Sequence, residues 1–226
     1  MVLRLFIILT TGIFLQSNHS AAQPSGYWNQ PMLNTAAHAN YLNQFEKQVI
    51  LELNKVRLNP AKYAEDYLAK LLNAYDGKLL TFDDAIPIRT QEGKRALLEC
   101  IRELKKTQAL PILSPSPGLS QAAKLLVVDQ QKSGKVGHIG EKGSNPQSRV
   151  EQFGNWTDGL AENITYGSNS PQQVVINLLI DDGVPNRGHR KNILNKTFKT
   201  IGVAAGSHPK YKKMCVMEMA GSFQYK

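Results

Sequence analysis

Residues 159–194, GLAENITYGSNSPQQVVINLLIDDGVPNRGHRKNIL, decide how this chain is read. Asn163-Ile164-Thr165-Tyr166 is a β-prone segment, and a Gly/Ser/Asn/Pro turn carries it into an apolar helix. That helix stops at Asp-Gly, ahead of a Gly-His-Arg turn. Glu162, Asp181, Asp182 and His189 therefore stand at element ends, where side chains from different parts of the chain can face one cleft.

Upstream of this stretch, Ser114-Pro115-Ser116-Pro117-Gly118 stops one element and starts a helix carrying Leu119, Ala122, Ala123, Leu126 and Val127 on one stripe. The helix runs out at Gly134, which leaves His138 in a glycine-flanked loop, free to point into a cleft. Taken alone, such a histidine reads as a solvent-exposed loop residue. Further back, Phe45, Val49, Leu53 and Val56 mark a first helix, and Asn59-Pro60 breaks it. Pro60 opens a second helix to about Asn73, residues 76–89 read as a loop or small hairpin, and a third helix covers residues 91–107. Downstream, residues 200–205 and 214–221 alternate with period two and form an antiparallel hairpin. Helices on both sides of a small, mainly antiparallel sheet make an α/β, three-layer α-β-α sandwich the expected architecture.

The first 22 residues have the form of a secretory leader: Arg4, an apolar run over residues 5–15, and the small residues Ser20-Ala21-Ala22. The run is too short for a membrane span, which needs about 20 residues, and no later stretch is apolar enough to serve. The expected organisation is a leader (1–22), a flexible polar arm (23–40) and a single domain over 41–226, secreted or periplasmic. Export places Cys100 and Cys215 where a disulfide can form, although two cysteines by themselves read equally as separate buried thiols.

Lys and Arg total 27 against 18 Asp and Glu, a net charge of +9. Arg187, Arg190, Lys191, Lys196, Lys199, Lys210, Lys212 and Lys213 occupy a segment with no acid in it. Such a segment is either a face for an anionic surface or a solvated one. Nucleic acid is not an expected partner: the segment has few aromatics and the chain has no nucleic-acid module. Gly-x-Ser-x-Gly, His-Glu-x-x-His and Walker phosphate-loop patterns are all missing.

Ala161-Glu162-Asn163-Ile164, then Gly188-His189-Arg190-Lys191-Asn192-Ile193-Leu194, then Phe198 and Ile201-Gly202-Val203, resemble the CAP superfamily. This group comprises cysteine-rich secretory proteins, antigen five and plant pathogenesis-related proteins, and the likeness is to its bacterial-type members. It covers about residues 45–223 and takes in Leu53-Asn54-Lys55-Val56-Arg57, residues 119–129, His138 and Arg149. The resemblance implies an α-β-α sandwich whose cleft holds two histidines and two acids, carried over here as His138, Glu162 and His189. The fourth position falls on Asp181 or Asp182. The family's tryptophan is replaced there by Leu178 and Leu179, and the connection is lengthened by residues 183–187. Asp182 also belongs to an Asp-Gly turn, so Asp181 is preferred. Residues 76–93 have no counterpart in a minimal member and read as an insertion.

Neutral imidazoles at His138 and His189 suit Zn²⁺ or another divalent metal, and Glu162 beside them could orient or deprotonate a bound water. Without metal the same groups make a pH-sensitive hydrogen-bonding site, or a polar cluster that braces the sandwich. The resemblance implies sterol or lipid binding, toxin-like or defence interactions, and occasionally proteolysis. The expected function is thus an exported binding module for a small ligand or envelope component. The alternatives are a metal-dependent hydrolase of peptide or envelope material and a structural protein binding anionic polymers through its basic segment.

Overall fold

The computed structural model describes residues 28–82 and 87–226. The leader read over residues 1–22 lies outside the described residues. Trp28 and Leu33 are buried, and the short helix α1 (Gln30–Leu33) is anchored by Asn54, whose side-chain amide donates to the Leu33 carbonyl. From Trp28 onward, the stretch expected as a flexible arm is therefore packed. Its sparse apolar residues show no period, yet they fall on the core.

Helix α2 (Gln44–Leu58) begins with a reciprocal cap: Asn43 accepts from the Glu46 amide while Glu46 accepts from that of Asn43. Helix α3 (Pro60–Tyr63) starts with its proline in the first turn and continues through a π-turn (Ala64–Leu68) into a 3₁₀ turn (Ala69–Ala74). The expected loop or hairpin is a small antiparallel sheet of β1 (Tyr75–Asp76), β2 (Leu79–Leu80) and β3 (Ile88–Arg89). Helix α4 (Lys94–Lys106), strand β4 (Ser114–Pro115), helix α5 (Pro117–Ser133) and the short α6 (Pro146–Val150) follow. Strand β5 (Gly154–Tyr166), α7 (Pro171–Ile180), α8 (Gly188–Ile193), β6 (Thr200–His208) and β7 (Lys212–Tyr225) complete the fold.

The main sheet has the order β4-β6-β7-β5, with β4 parallel to β6 and the other pairs antiparallel. Period-two alternation sorts β7 between two layers. Met214, Val216 and Ala220 pack with residues of α5, whereas Cys215, Met217 and Met219 join the larger core with α2, α4 and α7. This is the α-β-α arrangement the sequence pattern implies. Gly202 shows how tightly α5 lies on β6: a Cβ there would collide with the backbone of Leu119 and Ser120. Cys100 and Cys215 are both free and buried, and burial pushes both thiols well up from their ordinary range. Among the described residues no helix is long and apolar enough to cross a membrane.

Candidate functional site: two carboxylate-backed histidines

Strand β5 is the edge of the sheet and runs 13 residues, far beyond the four that read as β-prone. Its extra length carries Glu162 to a position directly across from Glu218 of β7. Glu162 points to the α5 side, where Oε1 lies 2.7 Å from His138 Nδ1 and Oε2 accepts from Arg149 Nη2 at 2.6 Å. Both Glu162 oxygens are thus committed, and its side chain is only 1% exposed.

The loop bearing His138 begins where α5 ends at Gly134, a left-handed cap with φ 66°. Its amide and carbonyl at Gly137 are held by Tyr166 and Gln130, and the His138 carbonyl accepts from Arg149. The backbone is fixed while the imidazole stays 48% exposed.

The second pair forms within one connection. Asp181 ends α7 in the left-handed region (φ 54°), a conformation aspartate tolerates better than most residues. Its Oδ1 lies 2.7 Å from His189 Nδ1 and its Oδ2 accepts from the His189 amide at 2.9 Å. Asp182 turns away, taking the Gln91 and Glu92 amides at 2.6 and 2.8 Å. Of the two aspartates, Asp181 is the one that meets a histidine, and Asp182 ties this connection to the insertion.

Arg187 and Arg190 brace the same connection. Arg187 donates to Glu92, Glu99 and the Asp181 carbonyl, and Arg190 donates to Glu99, Glu103 and the Leu179 and Ile180 carbonyls. These hydrogen bonds, Arg187's first, hold the Glu92 and Glu99 carboxyls down at about 2. The expectation that Arg187 and Arg190 belong to an anion-binding face is therefore corrected: both are buried and their charges are answered by acids of the segment 92–103, far off in sequence. The remaining lysines do not form one patch either. Lys191, Lys196 and Lys199 precede β6 and Lys210, Lys212 and Lys213 follow it, separated by a nine-residue strand of roughly 30 Å.

The four site residues are thus arranged as two pairs, each imidazole with its own buried carboxylate. Glu162 faces one side of β5, while its neighbour Asn163 faces the other, donating to the His189 carbonyl at 3.1 Å and accepting from Asn192. Among the described residues no three His, Cys, Asp or Glu side chains form a group that could hold a metal ion. A divalent ion here would have His138 or His189 as protein ligands and would take its other ligands from water or the bound molecule. A hollow of about 290 Å³ adjoins Glu162, lined by Asn145, Pro146, Trp156 and Leu160.

Arg149 and Glu218 carry no role in the reading of the sequence as site residues, and both are fully buried at this pair. Glu218 had one sequence signal, an acid inside the apolar run Cys215-Val216-Met217-Glu218-Met219-Ala220.

Residues 52–219 match the sequence model of the family described as "Cysteine-rich secretory protein family". A relative from Bacillus subtilis (strain 168), "Uncharacterized protein YkwD", is 28% identical over 117 residues, 52% of this chain. The match spans 44% of that relative's length, less than half of it. Among solved structures, an outer surface protein from Borrelia burgdorferi is similar at 18% identity and a TM-score of 0.42, covering 52% of this chain and 80% of that one. An extracellular protein containing an SCP domain from Bacillus anthracis str. Ames is similar at 19% identity and a TM-score of 0.40, covering 55% of this chain and 37% of that one.

Proposed function

This chain belongs to the cysteine-rich secretory protein (CAP) family, and from that premise we propose that it is an exported binding module whose ligand contacts are the outer nitrogens of His138 and His189. One observation carries the reading: each Nδ1 is occupied by a buried carboxylate at 2.7 Å. A carboxylate at Nδ1 makes that nitrogen the N–H donor and leaves Nε2 as the atom offered outward. Among the described residues neither Nε2 has a hydrogen-bond partner, and both rings retain exposure. An imidazole prepared in this way accepts a proton from a polar ligand, donates one when protonated, or binds a divalent ion. Its second-sphere partner is already in place.

Hydrolysis with Glu162 as the base finds less support. Each of its oxygens is already engaged by a protein group, Oε1 by His138 and Oε2 by Arg149, which ties the carboxylate to the scaffold. Glu162 instead orients His138, and Asp181 does the same for His189 while binding the amide that follows the Arg187-Gly188 turn.

Zn²⁺ is the probe for the test, titrated by calorimetry into the purified chain, His138→Ala and His189→Ala. The expected result is weakened binding in each variant, with Glu162→Gln weakened less than His138→Ala because the orienting partner can still accept. Equal binding in the wild type and both alanine variants would remove the imidazoles from the site.

A further inference from the structure

Beneath His138 lies a second acid that the binding reading does not use. Glu218 sits in the middle of β7, 0% exposed, and pairs directly across from Glu162 of β5. Directly opposed residues send their side chains to the same face. Both carboxyl groups therefore enter the layer between the sheet and α5–α6, with Arg149 as the cation between them.

The guanidinium is not shared evenly. Arg149 Nη2 lies 2.6 Å from Glu162 but 3.9 Å from Glu218, and its Nη1 is spent on the His138 and Ser144 carbonyls. Both Glu218 oxygens and Arg149 Nε are buried without a hydrogen-bond partner among the described residues. The charged groups acting on Glu218 are Glu162 from β5 and Arg149 from α6. On its other side β6 presents Gly202, packed against Leu119 and Ser120 of α5. One cation cannot neutralise two buried carboxylates, and an ionised carboxylate with no hydrogen bond is among the costliest groups to bury.

We propose that Glu218 is a proton-holding positioning residue of the His138 site: it stays a neutral carboxylic acid in the folded protein, which leaves Arg149 undivided for Glu162 and the His138 backbone. Burial first, and the neighbouring Glu162 second, push its carboxyl well above the ordinary carboxylate range, with Arg149 pulling weakly the other way. Loss of that proton would set two carboxylates competing for one guanidinium. The group released by that competition is the one that holds both Glu162 and the loop of His138.

The inference rests on the geometry of the acid pair and not on what the cleft binds, so its test uses the ligand-free full chain in EDTA. A folded carboxyl raised above its unfolded value of about 4.3 leaves the folded state holding an extra proton. Stability then falls as pH rises through the window between the two values. Glu218→Gln, neutral at every pH, lacks that fall. Urea unfolding at pH 4.5, 6 and 7.5 is therefore expected to show the variant gaining on the wild type by about tenfold in the unfolding constant per pH unit. A gap independent of pH, or a variant that loses ground as pH rises, overturns the proposal and makes Glu218 an ionised partner of Arg149. Should Glu218→Gln fail to fold, infrared spectroscopy of the wild type at pH 7 decides: a protonated-carboxyl carbonyl band is expected, and its absence sinks the idea.

Discussion

The two histidine pairs reach the same local chemistry by opposite routes. His189 and Asp181 are eight residues apart, on a connection pinned by Arg187, Arg190 and Asp182 to the segment 91–103, and the imidazole is 25% exposed. His138 meets Glu162 across 24 residues, from a glycine loop held at its backbone by Tyr166, Gln130 and Arg149, with its ring 48% exposed. The first is a braced corner with several redundant ion pairs. The second is an exposed ring on a loop whose carboxylate depends on one buried arginine. Redundancy of charge, and not the histidine–acid contact itself, is what differs between the two.

Breaking the single cation should have the largest effect. Arg149→Met leaves the Glu162 carboxylate buried without its guanidinium partner and is expected to cost about 3–5 kcal/mol in urea unfolding at neutral pH. A cost no larger than that of the matching change on the other side, Arg187→Met, would show that the His138 half is as redundant as the other.

Arg187→Met on the braced side should cost less, about 1.5–3 kcal/mol, the scale of hydrogen bonds to charged groups, because Arg190 still answers Glu99 and Glu103. The same variant tests pH dependence. Glu92 and Glu99 are depressed to about 2, so their contribution is full above the unfolded value of about 4.3 and is lost as pH falls toward 2. The wild type should therefore lose stability over that acid window more steeply than Arg187→Met. Parallel profiles would mean that the network does not brace the corner.

The histidines themselves come next. His189→Ala strips a buried aspartate of one partner and should cost about 1 kcal/mol, while His138→Ala also strips the buried Glu162 of one partner but, its ring being half exposed, opens a gap that water can fill and should cost about 0.5 kcal/mol. Reversal of that order in thermal or urea unfolding would invert the contrast. The smallest effect is expected at the surface. Lys210, Lys212 and Lys213 reversed to Glu should leave stability within about 0.5 kcal/mol. Any retention on an anionic polymer should weaken in a salt-dependent way, and it should weaken less than the full basic segment would imply, because the lysines before β6 stand at the other end of the strand.

Much of this was legible in the chain. The α2 stripe, the Asn59-Pro60 break, the helix ending at Gly134 and the Asp-Gly stop of α7 all follow from residues within a few positions of one another. Glu162, His138 and His189 were legible through their motifs, as was the preference for Asp181. The reach of β5 was not, because a bulge between Thr157 and Leu160 interrupts its alternation. Nor was the packing of residues 28–40, whose few apolar side chains carry no period. The pairing of Arg187 and Arg190 left only a faint trace, in the acids Glu92, Glu99 and Glu103 spaced at helical intervals.

Sequence alone determined the longer helices, the C-terminal hairpin, their order and the family resemblance, since propensity, capping and turn chemistry act over a few residues and survive without knowledge of the rest. Tertiary structure decided which charges meet. It split a basic run into two bound arginines and two separated groups of lysines, and it set Glu218 against Glu162 beneath one guanidinium. Electrostatic energy depends on distance and burial in the folded molecule, and no spacing along the chain encodes either.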